Sequence, residues 1–441
     1  MLPDRLSPRR VVVTGLGLVS PLGNSPPTFW SALAAGQSGV VPCEKLSVVE
    51  TPLKFAGEAR EFTGKIDNFG PLPADRKKAI RKGLKLMCRE TQMAVAAAQH
   101  AFASAGLAES TPVPERAGIV LGSDYMLTMP ADYVDSMEKC VGEKGDFQFS
   151  RWGSEGLGEM APLWMLKYLP NMPASHIAIL NDLRGPNNSL TMRESSSNLA
   201  MGEAFRTIRR GHADCMVTGA TGTRILPMQA LHALQTEQMA DETSTPAEAS
   251  RPFDKARTGM VAGEGAGMLV LEEMDTARDR GAKIYAEVLG TGSSLVANRK
   301  LEGNCQAALA TAIKAALREA RINVTDLGHI NAHGLGTTDS DVQETAALEE
   351  ALGPAGSQIP LIAPKSNFGN LGAGSGSVEL IASLLAFEHG RLPRVLNYQT
   401  RDPACPVQAV TNEDVPPGTH FLSLSVTPQG QAAVLCVGIP E

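Results

Sequence analysis

Aromatic side chains make up only 5% of the 441 residues, and no apolar stretch approaches the ~20 residues that a membrane-spanning helix needs. The segment from Met1 to Arg10 carries Pro and Arg where a secretory signal would need an apolar core, so a cytoplasmic protein is expected, with no membrane partner. Basic residues are outnumbered by acidic ones, 40 against 47, and the resulting net charge of −7 argues against nucleic acid as a partner. The seven cysteines are scattered, odd in number and include no CxxC pair, which excludes a disulfide scaffold or a zinc knuckle and suggests reduced, mostly buried thiols. The eight histidines include no HExxH motif, so neither a metal nor another cofactor is expected. No Pro/Gly/Ser-rich linker interrupts the chain near residue 280, so its halves should pack as one unit. With 43% hydrophobic residues, that unit can bury a large core.

What is present is an alternation of short apolar runs with helical patterns. Val11 to Thr14, Gly118 to Leu121, Ile177 to Leu180, Met216 to Thr218 and Met268 to Leu271 form a first series of expected strands. Ile284 to Leu289, Ile330 to Ala332, Leu361 to Ala363, Leu422 to Val426 and Ala433 to Val437 form a second. Continuous apolar strands separated by helices indicate sheet buried on both faces, an α/β fold told twice. Met201, Ala204, Phe205 and Ile208 make one stripe of a helix over Ser195 to Arg210, stopped by Gly211, and Leu309, Ile313 and Leu317 make another. The stretch from Tyr125 to Pro173, rich in Met, Trp, Tyr and Gly, is too long for a plain crossover and reads as a cap or partner-facing insertion. The expected division is an N-terminal half over 1–280 with the cap at about 125–173, then a C-terminal half over 281–441. Two mixed sheets sandwiching helices is the expected architecture.

Gly15-Leu16-Gly17 follows a strand, but Ser20 stands at the third glycine position of a dinucleotide fingerprint and Pro21 comes next, so it reads as a turn. Gly263 to Gly267 precedes a strand and cannot set a phosphate on a helix N-terminus.

Taken in order, several motifs resemble those of the β-ketoacyl acyl-carrier-protein synthases of the thiolase superfamily, particularly the KAS II type. They are Val12 to Gly17 with Ser20 to Gly23, Leu169-Pro170-Asn171-Met172, Arg251-Pro252-Phe253-Asp254, Gly263 to Glu273, Asn331-Ala332-His333-Gly334 and Lys365-Ser366. The resemblance runs from Arg10 to Gly438. It implies a duplicated βαβαβαββ fold in a five-layer αβαβα sandwich, a dimer, and acyl carrier protein and acyl thioesters as partners. It also implies a cysteine nucleophile at a helix start, two histidines that assist malonyl decarboxylation, and a supporting lysine.

Counted from Gly185-Pro186, the nucleophile position falls on Glu194. His333 matches the first histidine, Lys365 the lysine and Glu379 a helix acid, while Asn370 stands at the second histidine and Val426 to Gly430 replaces a C-terminal glycine loop that helps form the oxyanion hole. A carboxylate is a poor substitute for a thiolate, since an anhydride formed with it would hydrolyse readily, and Pro428 has no N–H to offer an oxyanion. The first reading is therefore a chain-length-factor-like subunit of an active ketosynthase, with Glu194 held by the helix dipole and by His333 or the N–H groups of Ser196 and Ser197. The second is acyl- or malonyl-ACP chemistry, such as decarboxylation, by His333 and Asn370 with Glu194. An ionised Glu194 opposes it by about 4 kcal/mol against a second charge about 4 Å away at an effective dielectric near 20. Ordinary condensation is the third. His333 and Lys365 also fit plain buried roles, Lys365 as the partner of Glu379. The pairing, homodimer or heterodimer with a ketosynthase, is open at this point.

Overall fold

The computed structural model describes residues 9–46, 51–107, 112–300, 302–412 and 414–440. Among them run β1 (Val11–Val19), β2 (Val40–Pro42), β3 (Phe55–Gly57), β4 (Ala117–Ser123), β5 (Asn187–Leu190), β6 (Cys215–Thr223) and β7 (Glu264–Glu273) in the first half. The second half supplies β8 (Ala286–Leu295), β9 (His329–Asn331), β10 (Pro360–Ile362), β11 (Gln408–Ala409), β12 (His420–Val426) and β13 (Gln431–Gly438). Eleven strands are hydrogen-bonded in the order β11-β10-β9-β12-β13-β8-β1-β7-β6-β4-β5, and β2 and β3 pair separately.

The two sheets expected from the sequence are thus joined. The seam is short: β1 meets β8 antiparallel only over Val11–Val13 against Ala286–Val288, whereas it follows β7 along nearly its whole length. Three residues of β1 therefore find partners on both edges, and their backbone groups are satisfied within one continuous ladder.

Period-two alternation assigns each strand's side chains to two cores. In β7, Leu269 and Leu271 join the central core, while Ala266, Met268 and Val270 join the outer core beneath the Arg89–Ser104 and Met172–Asn181 helices. In β13, Leu435 and Val437 face the central core and Ala432, Val434 and Cys436 the outer core beneath the Cys305–Ala320 and Ser340–Leu352 helices. Both faces being buried explains the unbroken apolar runs in the sequence. The Ser196–Arg209 and Ser375–His389 helices lie between the two sets of strands, which completes the αβαβα layering.

One expected strand is a helix. Ile177 to Leu180 belongs to Met172–Asn181, which carries Pro173 in its first turn and ends at Asp182 with a left-handed φ of 53°. Four apolar residues do not distinguish a strand from a buried helical turn, and the start signal at Pro173 carried the better information. The strand of this region is β5, polar and partly exposed because it forms an edge paired only with β4. Between β4 and the Met172 helix, the cap holds only short helical turns; Met126 and Met160 are buried in it and Met165 is exposed.

β4 positions the site. A Cβ at Gly122 would lie 2.7 Å from the Ser196 carbonyl carbon, so only glycine lets the start of the Ser196–Arg209 helix rest on this strand.

Candidate functional site

Glu194 occupies the single 3-10 turn Arg193–Ser195 that leads into the Ser196–Arg209 helix, and it is 2% exposed. The turn is anchored from both sides: Ser195 Oγ donates to the Gln431 carbonyl, and Ser196 Oγ accepts from Met192 N–H at 2.7 Å. Arg193 has a φ of 51°, a left-handed conformation uncommon for a side-chain-bearing residue. The turn presents the Glu194 carboxylate at the positive end of the helix.

The counter-charge is arginine. Arg224, at the end of β6 and fully buried, sets Nη2 2.5 Å from Glu194 Oε1 and 3.4 Å from Asp124 Oδ2. Glu194 Oε2 lies 3.5 Å from Arg193 Nε, and the Arg193 guanidinium in turn pairs with Glu237. Burial pushes the Glu194 carboxyl up, but Arg224 and then Arg193 outweigh it and hold the group well below the usual carboxylate range. Burial dominates at Asp124, which lies farther from Arg224, and its pKa rises. Among the described residues no hydrogen bond or ion pair joins Glu194 to His333 or to the N–H groups of Ser196 and Ser197. In place of the expected partners, the Arg224 guanidinium gives Glu194 Oε1 both charge and a directed donor, while Oε2 has only the ion pair to Arg193.

The C-terminal half supplies the remaining candidates. Asn370 Nδ2 donates to Glu194 Oε1 at 3.1 Å, and Asn370 Oδ1 accepts from Gly372 N–H and Ser375 Oγ, which fixes the amide's orientation. Lys365 Nζ lies 2.5 Å from Glu379 Oε1, donates to the His333 carbonyl at 2.6 Å and stands 3.5 Å from His333 Nδ1. Burial, then the Lys365 cation, pushes His333 well below the ordinary imidazole value, so its ring is neutral. Glu344 accepts from the N–H groups of His333 and Gly334 at 2.7 and 2.8 Å and fixes the loop that bears the ring. The four candidates Glu194, His333, Lys365 and Asn370 thus converge on one buried locus.

A cavity of about 470 Å³ reaches this locus from outside, lined by His333, Leu335, Thr337, Thr427, Pro428 and Gln429. Glu194, Asn370 and Lys365 lie behind that lining, each no more than 2% exposed. The Thr427–Gly430 segment forms the turn of the β12–β13 hairpin. Thr427 N–H is spent on the Gln431 carbonyl and Gly430 N–H on the Thr427 carbonyl, so neither points as a free donor into the cavity. Cys305 also lines the cavity, an exception to the expectation of buried thiols; burial still pushes its pKa up.

Residues 8–277 match the β-ketoacyl synthase N-terminal domain, and residues 285–399 match its C-terminal domain. The chain belongs to the β-ketoacyl synthase family. It is similar to the 3-oxoacyl-[acyl-carrier-protein] synthase 2 of Synechocystis sp., 31% identical over 409 residues that cover 92% of each chain. It is 33% identical to the actinorhodin polyketide putative β-ketoacyl synthase 1 of Streptomyces coelicolor, covering 92% of this chain and 83% of that one. Among solved structures it resembles the ishigamide ketosynthase/chain length factor, with a TM-score of 0.81, 29% identity and coverage of 99% and 100%. A β-ketoacyl synthase from Burkholderia phymatum aligns with a TM-score of 0.84 at 26% identity.

In this ketosynthase fold Lys365 meets Glu379 as expected from the sequence, whereas the two arginines beside Glu194 were not anticipated. Arg224 follows Gly219 to Thr223 in an apolar setting, and a glutamate placed at a buried helix start already demanded a partner of opposite charge somewhere in the chain. Asp124 and Glu344 carried no such signal, because their roles depend on loops that only the fold brings together. Gly372 records how tightly the cluster is built. Its φ is 62°, and a Cβ there would lie 2.6 Å from Asp124 Oδ2.

Proposed function

We propose that this β-ketoacyl synthase homologue does not condense acyl thioesters but serves in the cytoplasm as a chain-length-factor-like partner of an active ketosynthase in fatty-acid or polyketide biosynthesis. The observation that carries the proposal is Glu194, a buried carboxylate held in its charged form at the position that the resemblance assigns to the nucleophile. A charged, doubly paired carboxylate neither accepts an acyl group stably nor relinquishes its cations to attack one. The hairpin at Thr427–Gly430 supports the same reading, because the Thr427 and Gly430 N–H groups are spent within the turn and Pro428 has none.

Decarboxylation is the weaker reading. It needs Asn370 and His333 free to donate to an enolate, but the Asn370 amide is committed to Glu194, and a charged Glu194 repels both the malonyl carboxylate and the enolate. A partner role is supported by surface features. The cap and its surroundings expose Phe149 and Met165, Ile179 is 78% exposed, and β5 leaves one edge unpaired. The ishigamide structure bears the name of a ketosynthase together with a chain length factor, a pairing of the kind proposed.

Incubating the purified chain with acyl-ACP and malonyl-ACP should give no acyl adduct by mass spectrometry and no CO₂ above background. Co-expression with a cysteine-bearing ketosynthase from the same source should give a heterodimer by native mass measurement. A stable adduct in this pocket, or a homodimer that never exchanges subunits and leaves the partner's product length unchanged, would overturn the proposal.

A further inference from the structure

We propose that Arg224, backed by Asp124, fills the space an acyl chain carried at position 194 would need, so that restoring a thiol there would not by itself restore chain loading. The proposal rests on reading Glu194 as the nucleophile position. A chain borne on that side chain must leave its terminal atoms along a direction no other group occupies. One side opens past His333 toward the cavity, through which a thioester would arrive. The others are taken by Asn370, Arg193 and Arg224.

Arg224 dominates. It has the largest of the fully buried side chains, and its Nη2 touches the Glu194 carboxylate directly. Behind it the wall continues with polar groups. Asp124 Oδ2 lies 3.4 Å from Nη2, the Tyr125 hydroxyl lies 3.4 Å from Nη1, and His232 Nδ1 lies 2.5 Å from that hydroxyl. Asp124 Oδ2 and Arg224 Nε are buried without hydrogen-bond partners, so these atoms depend on the ion pairs alone. A hydrocarbon entering here would have to displace a guanidinium and strip two buried carboxylates of their cation. The close approach of Gly372 to Asp124 shows that the opposite wall leaves no slack.

The test separates the volume of residue 224 from its charge. Two variants share Glu194→Cys and Asp124→Asn and differ at one residue, Arg224→Ala in one and Arg224→Met in the other; both remove the central charges together and leave Arg193 with Glu237. Each is treated with methyl and with octyl methanethiosulfonate, and modification of position 194 is read by peptide mass spectrometry, which counts Cys305 separately. Methyl should label both variants alike, whereas octyl should label the Arg224→Ala variant at least about tenfold faster, as expected if Met still fills the space. Equal octyl rates would overturn the proposal, as would failure of methyl to reach position 194 in folded protein, since a closed position leaves Arg224 nothing to block. Should either triple variant fail to fold, Glu194→Cys alone gives the second reading: methyl labels and octyl does not, and equal labelling overturns the inference. An acyl adduct on the native chain would instead sink the proposed function, an outcome these rates do not decide.

Discussion

The two halves of the molecule meet at one site but treat their charges differently. From the C-terminal half, Lys365 pairs with Glu379 and also ties down the His333 carbonyl, while Glu344 holds the His333 loop through two backbone N–H groups. From the N-terminal half, a single guanidinium, Arg224, stands between two carboxylates, Glu194 and Asp124, and Asn370 is the one hydrogen bond from the other half to Glu194 among the described residues. Glu194 is therefore not an isolated charge but one member of a buried cluster. A carboxylate at a buried helix start is tolerable only with a buried cation, and the fold supplies one thirty residues later at the end of β6.

The sharpest way to break this comparison is to remove each half's cation. Arg224→Met leaves Glu194 with the more distant Arg193 and leaves Asp124 without its ion pair, holding only the Tyr125 N–H on Oδ1, and should cost about 3–5 kcal/mol in urea-denaturation stability, the usual penalty for orphaning a buried charge. Lys365→Met should cost about half as much or less, because burial already pushes Glu379 up and it can take a proton once the lysine is gone. Combining Arg224→Met with Glu194→Gln and Asp124→Asn should recover most of the loss. Equal costs for the two single variants would show that the halves do not differ in this respect.

Acidity should separate the halves by sign. Glu194 has a depressed pKa, so its contribution is present above the unfolded carboxylate value of about 4.3 and is lost as pH falls through its lower folded value. Glu344 is pushed up to about 7 and Asp341 to about 6, in each case chiefly by burial. Their contributions are fully present below the unfolded values of about 4 and are lost as pH rises toward neutrality. Glu90, also raised to about 7 by burial, follows the C-terminal pattern although it lies in the first half. Urea titrations across pH should therefore show that Glu344→Gln flattens the decline between pH 5 and 7, while Glu194→Gln flattens the loss on the acid side. If Glu344→Gln leaves the neutral slope unchanged, the carboxylate does not titrate as described.

Much of this arrangement was legible before the fold. Strands such as β7 and β13 announced themselves as unbroken apolar runs because both of their faces are buried, and the motifs around Glu194, His333, Lys365 and Asn370 brought those residues into one discussion. What sequence could not supply was direction. Ile177 to Leu180 is apolar in a strand or a helix alike, and the run itself does not decide between them, whereas Pro173 in the first turn marks a helix start. Arg224 is one of 40 basic residues, and its uncharged neighbours from Gly219 to Thr223 hint at burial without saying which carboxylate the guanidinium meets. The seam between β1 and β8 is three residues long, too short to leave a pattern.

The smallest effect should come at the outer end of the Arg224 network. The Tyr125 hydroxyl accepts from Arg224 Nη1 at 3.4 Å and meets His232 Nδ1 at 2.5 Å, with the two rings edge to face at 4.7 Å. Tyr125→Phe keeps the ring contact and removes only the oxygen. Arg224 retains both carboxylates, and His232 is half-buried, within reach of water to replace the lost bond. The expected cost is about 1 kcal/mol or less by the same urea titration, well under that of Arg224→Met. A loss as large as that of Arg224→Met would mean that the hydroxyl, rather than the carboxylates, fixes the guanidinium. Arg224 would then be held from the surface inward, and Glu194 would depend on Tyr125 as much as on its own ion pair.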